Sequence, residues 1–175
     1  MSFTDSGLIL EKEISCRERE DIIKLMAECF DFHLYTFSDT SNWPKVKNFG
    51  SVDYDQQLGK IYQTSRINLN ITAKNIHHGV PMRVFDILSV GGFCISNYQR
   101  GIEELFEIGT DLVVYDDYND LMYKTAYYLE HEEERIQIAE NGRKKVMEYH
   151  TYEQRLKEIE KIVMGVHSRN ALSNP

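Results

Sequence analysis

Short apolar segments alternate along this chain with longer amphipathic ones, and that alternation restricts the fold more than any other feature. Residues 32–37, 66–71, 93–95 and 111–115 have the composition and length of strands, and stretches with helical spacing of apolar residues separate them. Strands that alternate with helices pair in parallel, because each helix carries the chain back across the sheet. We therefore predict an α/β fold in which helices cover both faces of a parallel sheet.

The segments before and between these strands complete the predicted order of elements. Residues 7–12 (GLILEK) are predicted as a first strand, and Ser15 with Glu18 forms a capping box that opens the helix after it. Further helices are predicted at 54–64, at 81–88, from 117 to near 131, from there to 150, and from Thr151 onward.

The chain reads as one domain with a short tail. No internal repeat or low-complexity segment interrupts its 175 residues, and the loop around Trp43 suits a surface better than a linker. We expect a single domain over residues 1–165 and a flexible tail over residues 166–175.

Charge, cysteines and hydropathy narrow the classes of protein. A formal net charge of −8 argues against a nucleic-acid binder, which needs surplus Lys and Arg. Three scattered cysteines without a Cys-x-x-Cys pair favour a reducing compartment. The first residues lack a signal-peptide pattern, and no apolar run approaches the roughly 20 residues of a membrane span. We expect a cytoplasmic protein without a membrane span and without a cofactor.

The loop after residue 71 is the richest candidate binding segment. In open α/β sheets, ligands bind beyond the carboxyl ends of the strands, and this loop carries Lys74, His78 and Gly79 ahead of Pro81. A proline in the first helical turn leaves neighbouring amides free, and together with the helix dipole these amides favour an anion. Gly79 lets the backbone approach that anion closely. Phosphate is the natural ligand, and the adjacent histidines lack the i, i+4 spacing of a metal pair.

The helix predicted at 81–88 carries Arg83 and Asp86 on one side, away from its apolar face. The two residues are three positions apart, so their side chains project together near the predicted phosphate site. An arginine can bind phosphate oxygens, and an aspartate can accept hydrogen bonds from sugar hydroxyls. The same spacing also occurs in ordinary surface ion pairs worth about 0.5 kcal/mol or less, and the sequence leaves both interpretations open.

Four segments in order carry a resemblance to a known family: NFGSVDYDQQLGKIYQTSRINLNIT, GVPMRVFDILSVGG, GIEELFEIGTDLVVYDD and ERIQIAENGRKKVMEYHTY. From about residue 8 to 156, the chain resembles the carboxy-terminal half of GT-B glycosyltransferases of group 1, in particular the spore-maturation type. The resemblance implies a three-layer Rossmann-like domain that binds a nucleoside-diphosphate sugar. It further implies a bacterial, metal-independent enzyme that uses a UDP or GDP sugar in polysaccharide biosynthesis.

The family pattern also suggests roles for particular residues. Related enzymes carry two glutamates separated by seven residues; the second falls on Asp86, the ribose contact, and the first falls on His78, which is a departure. The glycine-rich turn near the diphosphate corresponds to residues 99–101, including Gly101, with Glu104 behind it. The nucleobase is expected near Gly50 and Val52. Lys74 and Arg83 remain candidates for compensating phosphate charge, and no catalytic residue is assigned.

The resemblance implies an acceptor-binding domain ahead of this one, because such enzymes react in a cleft between two Rossmann-like domains. We therefore expect this chain to be inactive alone, as an excised domain or a natural fragment. The alternative is a non-catalytic binding or assembly module on the same scaffold, with a homodimer as one possible form. A nicotinamide-dependent enzyme is disfavoured, because G-x-G-x-x-G is absent from the first strand-to-helix turn.

Overall fold

A computed structural model describes residues 3–76 and 79–172 of the chain. Its helical segments are α1 (Phe3–Cys29), a π-helix (Tyr54–Leu58), α2 (Gly59–Thr64), α3 (Met82–Ser89), α4 (Arg100–Leu105), α5 (Tyr118–Glu130), α6 (Glu132–Tyr149) and α7 (Tyr152–Leu172). Its strands are β1 (His33–Leu34), β2 (Lys47–Asn48), β3 (Asn68–Asn70), β4 (Cys94–Asn97) and β5 (Val113–Tyr115).

The strands form two parallel sheets, β1–β2 and β3–β4–β5. In the larger sheet, Asn70 is paired in register with Ser96, and Asn97 with Tyr115. The carboxyl ends of β3, β4 and β5 therefore lie side by side along one edge of the sheet.

Helices cover both faces of the larger sheet, as the alternation of elements predicts. On one face, apolar residues of α1 and α5 pack on Ile95, Val113 and Tyr115. On the other face, α3 and α4 pack on Cys94 and Val114. The helix α6 contributes buried residues to both clusters, so it closes one end of the sandwich. The expected Rossmann-like α/β architecture is confirmed.

Two predictions at the amino terminus are wrong. Residues 7–12 belong to α1 and not to a strand, and Ser15 lies inside that helix instead of capping it. The Ser15 hydroxyl is buried and donates to the Glu11 carbonyl at 2.8 Å, one turn earlier in the same helix. The core-facing side of α1 includes Ile22 and Met26, which are buried against the sheet.

Most later elements agree with the sequence prediction apart from their ends, but β2 (Lys47–Asn48) lies in a segment that was predicted as a loop. The strands β1, β3 and β5 are shorter than predicted, and β4 is one residue longer. The helix at 81–88 begins one residue later, with Pro81 as its N-cap, and its predicted apolar side is confirmed by buried Val84, Ile87 and Leu88. The helices that meet near His131 and the cap at Thr151 are also present, and α7 continues to Leu172, past the expected boundary at residue 165.

Candidate functional site

A network of short polar side chains lies at the carboxyl end of β3. The Asn70 side chain is fully buried, and its amide nitrogen donates to Thr72 Oγ1 at 2.9 Å and to Ser96 Oγ at 2.8 Å. These two bonds use both amide hydrogens, so the Asn70 Oδ1 atom faces the remaining side, toward α3. A buried carbonyl oxygen aimed outward in this way can orient a positively charged donor.

Arg83 is that donor. Its Nη1 atom approaches Asn70 Oδ1 at 3.4 Å, which places the guanidinium at the carboxyl edge of the sheet although Arg83 is an exposed residue of α3. Among the described residues, Arg83 and Asp86 do not form an ion pair with each other. The structure therefore does not support their interpretation as an ordinary surface ion pair. Instead, the two side chains bind different neighbours on the same side of α3.

Asp86 accepts a hydrogen bond from a tyrosine of the π-helix. The Tyr54 hydroxyl donates to Asp86 Oδ1 at 2.9 Å, and this bond raises the pKa of Tyr54 above its ordinary value. Tyr62 of α2 lies close to both charged residues: burial raises its pKa, while the Arg83 charge lowers it and the Asp86 charge raises it. A shallow groove of about 130 Å³ runs along these tyrosines beside Asp86, Ser89 and Val90. The groove offers a carboxylate and hydroxyl groups to a polar ligand.

The loop before α3 is in direct contact with the start of α4. Gly79 has a left-handed backbone with φ of +116°, and Gly101 packs so tightly against it that a Cβ at Gly101 would lie 2.9 Å from the Gly79 carbonyl. Glycine is needed at both positions, at Gly79 for its φ and at Gly101 for the close approach. The fold thus brings together the two glycines that the sequence placed near a diphosphate.

A pair of hydrogen bonds joins the loop after β3 to the last residue of β4. The Thr72 backbone N–H donates to Asn97 Oδ1 at 2.7 Å, and the Asn97 amide donates to the Thr72 carbonyl at 3.0 Å. The Asn97 side chain therefore continues the pairing of β4 with the chain that follows β3, and it fixes the spacing of these two segments.

Lys74 lies apart from this arrangement, toward α1. Its Nζ atom is 3.3 Å from Glu18 Oε1, and its backbone N–H donates to Ser15 Oγ at 2.9 Å. Since α1 and α3 cover opposite faces of the sheet, the structure separates the Lys74 side chain from Arg83. Glu104 also has a local partner, because Arg100 Nε donates to it at 3.1 Å within α4.

Gly50 and Val52 lie on the segment that leads from β2 into the π-helix. Gly50 has φ of +77°, and its N–H donates to Asn48 Oδ1 at 3.0 Å. Half-buried Val52 follows two residues later, just ahead of Tyr54. The segment therefore approaches Asp86 through Tyr54. His78 lies outside the described residues.

The first turn of α3 adds backbone donors to the site. No side chain caps this helix, and Pro81 at its N-cap has an extended backbone. The Val84 amide donates to the Pro81 carbonyl at 3.0 Å, which leaves the Met82 and Arg83 amides to an anion that the helix dipole favours. Together with Arg83 and Asp86, the arrangement can bind an anionic group and adjacent hydroxyls.

A parallel α/β sheet with polar groups at its carboxyl edge defines the class of Rossmann-like domains, which bind ligands at that edge. Within that class, the glycosyl transferase-like family matches residues 17–161, and the chain belongs to that family. Membership supports a transferase role with a sugar donor as partner. Among curated proteins, no sequence matches this chain.

Over residues 3–76 and 79–172, no group of three or more His, Cys, Asp or Glu side chains is arranged to hold a metal ion. None of the helices in the same residues has the length and apolar character to cross a membrane.

Sequence reasoning missed the residues that hold the candidates in place. These are the buried partners Asn70, Thr72, Ser96 and Asn97, and the tyrosines Tyr54 and Tyr62 beside Asp86. One signal was available for the first group: in the segment INLNIT, polar residues alternate with apolar ones in a strand expected to be buried on both faces. Buried polar positions need partners, so such a face predicts a hydrogen-bonded network.

Proposed function

We propose that this chain is the donor-binding domain of a glycosyltransferase, corresponding to the carboxy-terminal half of a GT-B enzyme, and that it binds a nucleoside-diphosphate sugar. The observation that carries the proposal is the placement of Arg83 by Asn70 at the sheet edge, beside the uncapped first turn of α3. Family membership over residues 17–161 supports the same reaction class.

The diphosphate would bind between α3 and the contact of Gly79 with Gly101. Amides of the first turn of α3 and the Arg83 guanidinium supply fixed donors for its oxygens. Donors fixed in this way stabilise the charge that develops on a departing nucleoside diphosphate, which is where most of the rate enhancement would arise. The proposed transfer relies on these protein groups and not on a bound metal ion.

The nucleoside would extend from the diphosphate toward the π-helix. Asp86 lies one turn of α3 beyond Arg83, and its carboxylate accepts hydroxyl donors, as its bond from Tyr54 demonstrates. A ribose would bind there, with the base near Gly50 and Val52, whether the donor carries UDP or GDP. In the sequence, His78 stands at the position where related enzymes have a glutamate that contacts the donor sugar.

We place the complete reaction in a two-domain enzyme of bacterial polysaccharide biosynthesis, with the acceptor bound by another domain. A reducing, cytoplasmic setting agrees with the three cysteines: Cys16 and Cys29 are exposed, Cys94 is buried, and none forms a disulfide. Burial raises the pKa of the Cys94 thiol to about 12, which makes it an inert core residue.

Isothermal titration calorimetry with UDP and GDP tests the proposal. We expect wild-type protein to bind one of them, and Arg83→Ala to weaken that binding by roughly tenfold or more, because a hydrogen bond to a charged group contributes about 1.5–3 kcal/mol. Arg17→Ala is the matched control, since Arg17 is an exposed arginine of α1 paired only with Glu13. Folded protein that binds neither nucleotide, or an Arg83→Ala variant that binds as wild type, contradicts the proposal.

An assembly role is the second candidate, and α7 favours it. Its side chains Leu156, Ile159 and Ile162 are each more than half exposed, which is a large apolar area for a helix at a protein surface. Sedimentation velocity separates the candidates: concentration-dependent homodimers without nucleotide binding support assembly, and a nucleotide-binding monomer supports the donor-binding role.

A further inference from the structure

The carboxylate that would bind the ribose is already occupied by a hydroxyl of the protein. Tyr54 donates to Asp86 Oδ1 at 2.9 Å, at the distance and on the acceptor that a ribose hydroxyl would use. A vicinal diol that donates to both carboxylate oxygens therefore competes with the tyrosine for Oδ1.

Tyr54 is placed so that it can leave without disturbing the core. Its side chain is 60% exposed, and the π-helix that it begins has no buried residue. The Asp53 side chain accepts the Gln56 amide, so the turn that carries Tyr54 is fixed without help from the tyrosine hydroxyl. Single-turn π-helices are rare, and those that occur are frequently found at functional sites.

The space beside the ring is open as well. The groove of about 130 Å³ is lined by Tyr54, Tyr62 and Asp86 together with Ser89 and Val90. Movement of the Tyr54 ring therefore enlarges an existing groove and creates no buried cavity. The cost of displacement is then mainly the single hydrogen bond to Asp86.

We propose that Tyr54 is a specificity-determining latch: its hydroxyl occupies Asp86 in the free protein, and a ligand enters fully only when a vicinal diol replaces that hydroxyl. The inference rests on the proposed function and adds a selection step to it. A nucleotide with both ribose hydroxyls displaces Tyr54 and gains the carboxylate. A nucleotide without them leaves the latch closed and binds through its diphosphate alone.

Calorimetry on Tyr54→Phe tests the latch, because this change removes the hydroxyl and keeps the ring. With UDP or GDP, whichever binds wild type, we expect Tyr54→Phe to bind about three- to tenfold more tightly, as a competing hydrogen bond has been removed. With the matching 2′,3′-dideoxynucleoside diphosphate, both proteins should bind equally. In an Asp86→Asn background, Tyr54→Phe should no longer change the affinity by this factor.

Tyr123→Phe is the matched control, because Tyr123 is a similarly exposed tyrosine on α5, and it should bind as wild type. If wild type binds the diphosphates and Tyr54→Phe binds equally or more weakly, the latch is wrong while the donor-binding proposal stands. If wild type binds no nucleoside diphosphate, the donor-binding proposal fails and the latch fails with it.

Discussion

At the scale of single residues, the site depends on how one buried amide is oriented. Asn70 has no exposed surface, and both of its amide hydrogens are donated within the network. Its oxygen therefore cannot turn away from Arg83 without leaving a buried donor unpaired, which costs about 1–3 kcal/mol. The arginine is held by the amide even though its own side chain is exposed.

Asn70→Ala should weaken binding of a nucleoside diphosphate and also lower the free energy of unfolding by about 1–3 kcal/mol. Asn68→Ala is the control, because Asn68 is also buried on β3 but donates only to the carbonyls of Tyr62 and Phe93, away from Arg83. We expect both variants to lose stability in urea titrations and only Asn70→Ala to lose affinity. Equal affinities for the two variants would show that Asn70 does not position Arg83.

The sequence identified Arg83 and Asp86 as candidate site residues, but it did not identify Asn70 and Tyr54, which form hydrogen bonds with them. The difference has a physical reason. Periodicity places both charges on one side of α3, since that depends only on helix geometry. The partners come from β3 and the π-helix, which are 13 and 32 positions away in the chain. Contacts over such distances depend on the packing of the whole sheet, which local patterns do not encode.

At the scale of elements, α6 lies unusually close to the segment that precedes β5. A Cβ at Gly142 would overlap the Asp111 carbonyl oxygen and would lie 2.8 Å from a methyl group of Leu88. The Asp111 carboxylate in turn accepts the Glu107 amide at 2.9 Å, so the segment against α6 is fixed from its other side. Neither the helix nor the segment can shift freely to admit a methyl group.

Gly142→Ala should therefore destabilise the fold by about 3 kcal/mol, the upper end for overpacking a filled interior. Gly59→Ala is the matched control in α2: its Cβ would meet only Val90, at an ordinary 3.5 Å, and alanine favours a helix by up to about 1 kcal/mol. In urea denaturation, Gly142→Ala should have a lower free energy of unfolding than wild type. Gly59→Ala should have a free energy of unfolding equal to or higher than that of wild type. A Gly142→Ala variant as stable as wild type would contradict the tight packing.

Elements were predictable where a core-facing side repeats along the sequence. The helix α3 was predicted to within one residue because Val84, Ile87 and Leu88 mark one face. The start of α1 was not, because residues 9, 10 and 14 are exposed apolar side chains that mark no face. A short apolar run of that kind is compatible with a strand or with a helix. It is helical in the structure because it continues the helix that contains the buried Ile22.

At the scale of the whole molecule, His150 contacts residues from three parts of the fold: α3, the end of α4, and α7. Its ring lies 5.6 Å from the Phe85 ring of α3 and 5.2 Å from the Phe106 ring that follows α4. Arg155 of α7 donates to His150 Nδ1 at 2.9 Å, so this nitrogen is an acceptor and the imidazole is neutral. Burial, and after it the Arg155 charge, lower the pKa of His150 below 6.5.

This lowered pKa predicts how stability depends on pH. Near and below pH 6.5, this histidine becomes protonated in the unfolded chain, while in the folded chain it stays neutral to lower pH. The free energy of unfolding should therefore decrease as the pH is lowered from 7 to 5. His150→Asn keeps an acceptor for Arg155 but does not titrate, so its profile should be flatter in this interval. Urea titrations from pH 5 to pH 8 measure both profiles, and parallel slopes for the two proteins would show that His150 is not responsible.

The paired hydrogen bonds between Thr72 and Asn97 have a consequence for anyone who redesigns this domain. The segment after β3 and the end of β4 each supply the geometry that the other depends on, so neither can be exchanged alone without leaving an amide or a carbonyl unmatched. In the proposed donor-binding role, the two segments would have to be transplanted together, as a two-part cassette taken from the same source. Chimeras that mix the two sources should misplace the recognition groups even when every contacting side chain is retained.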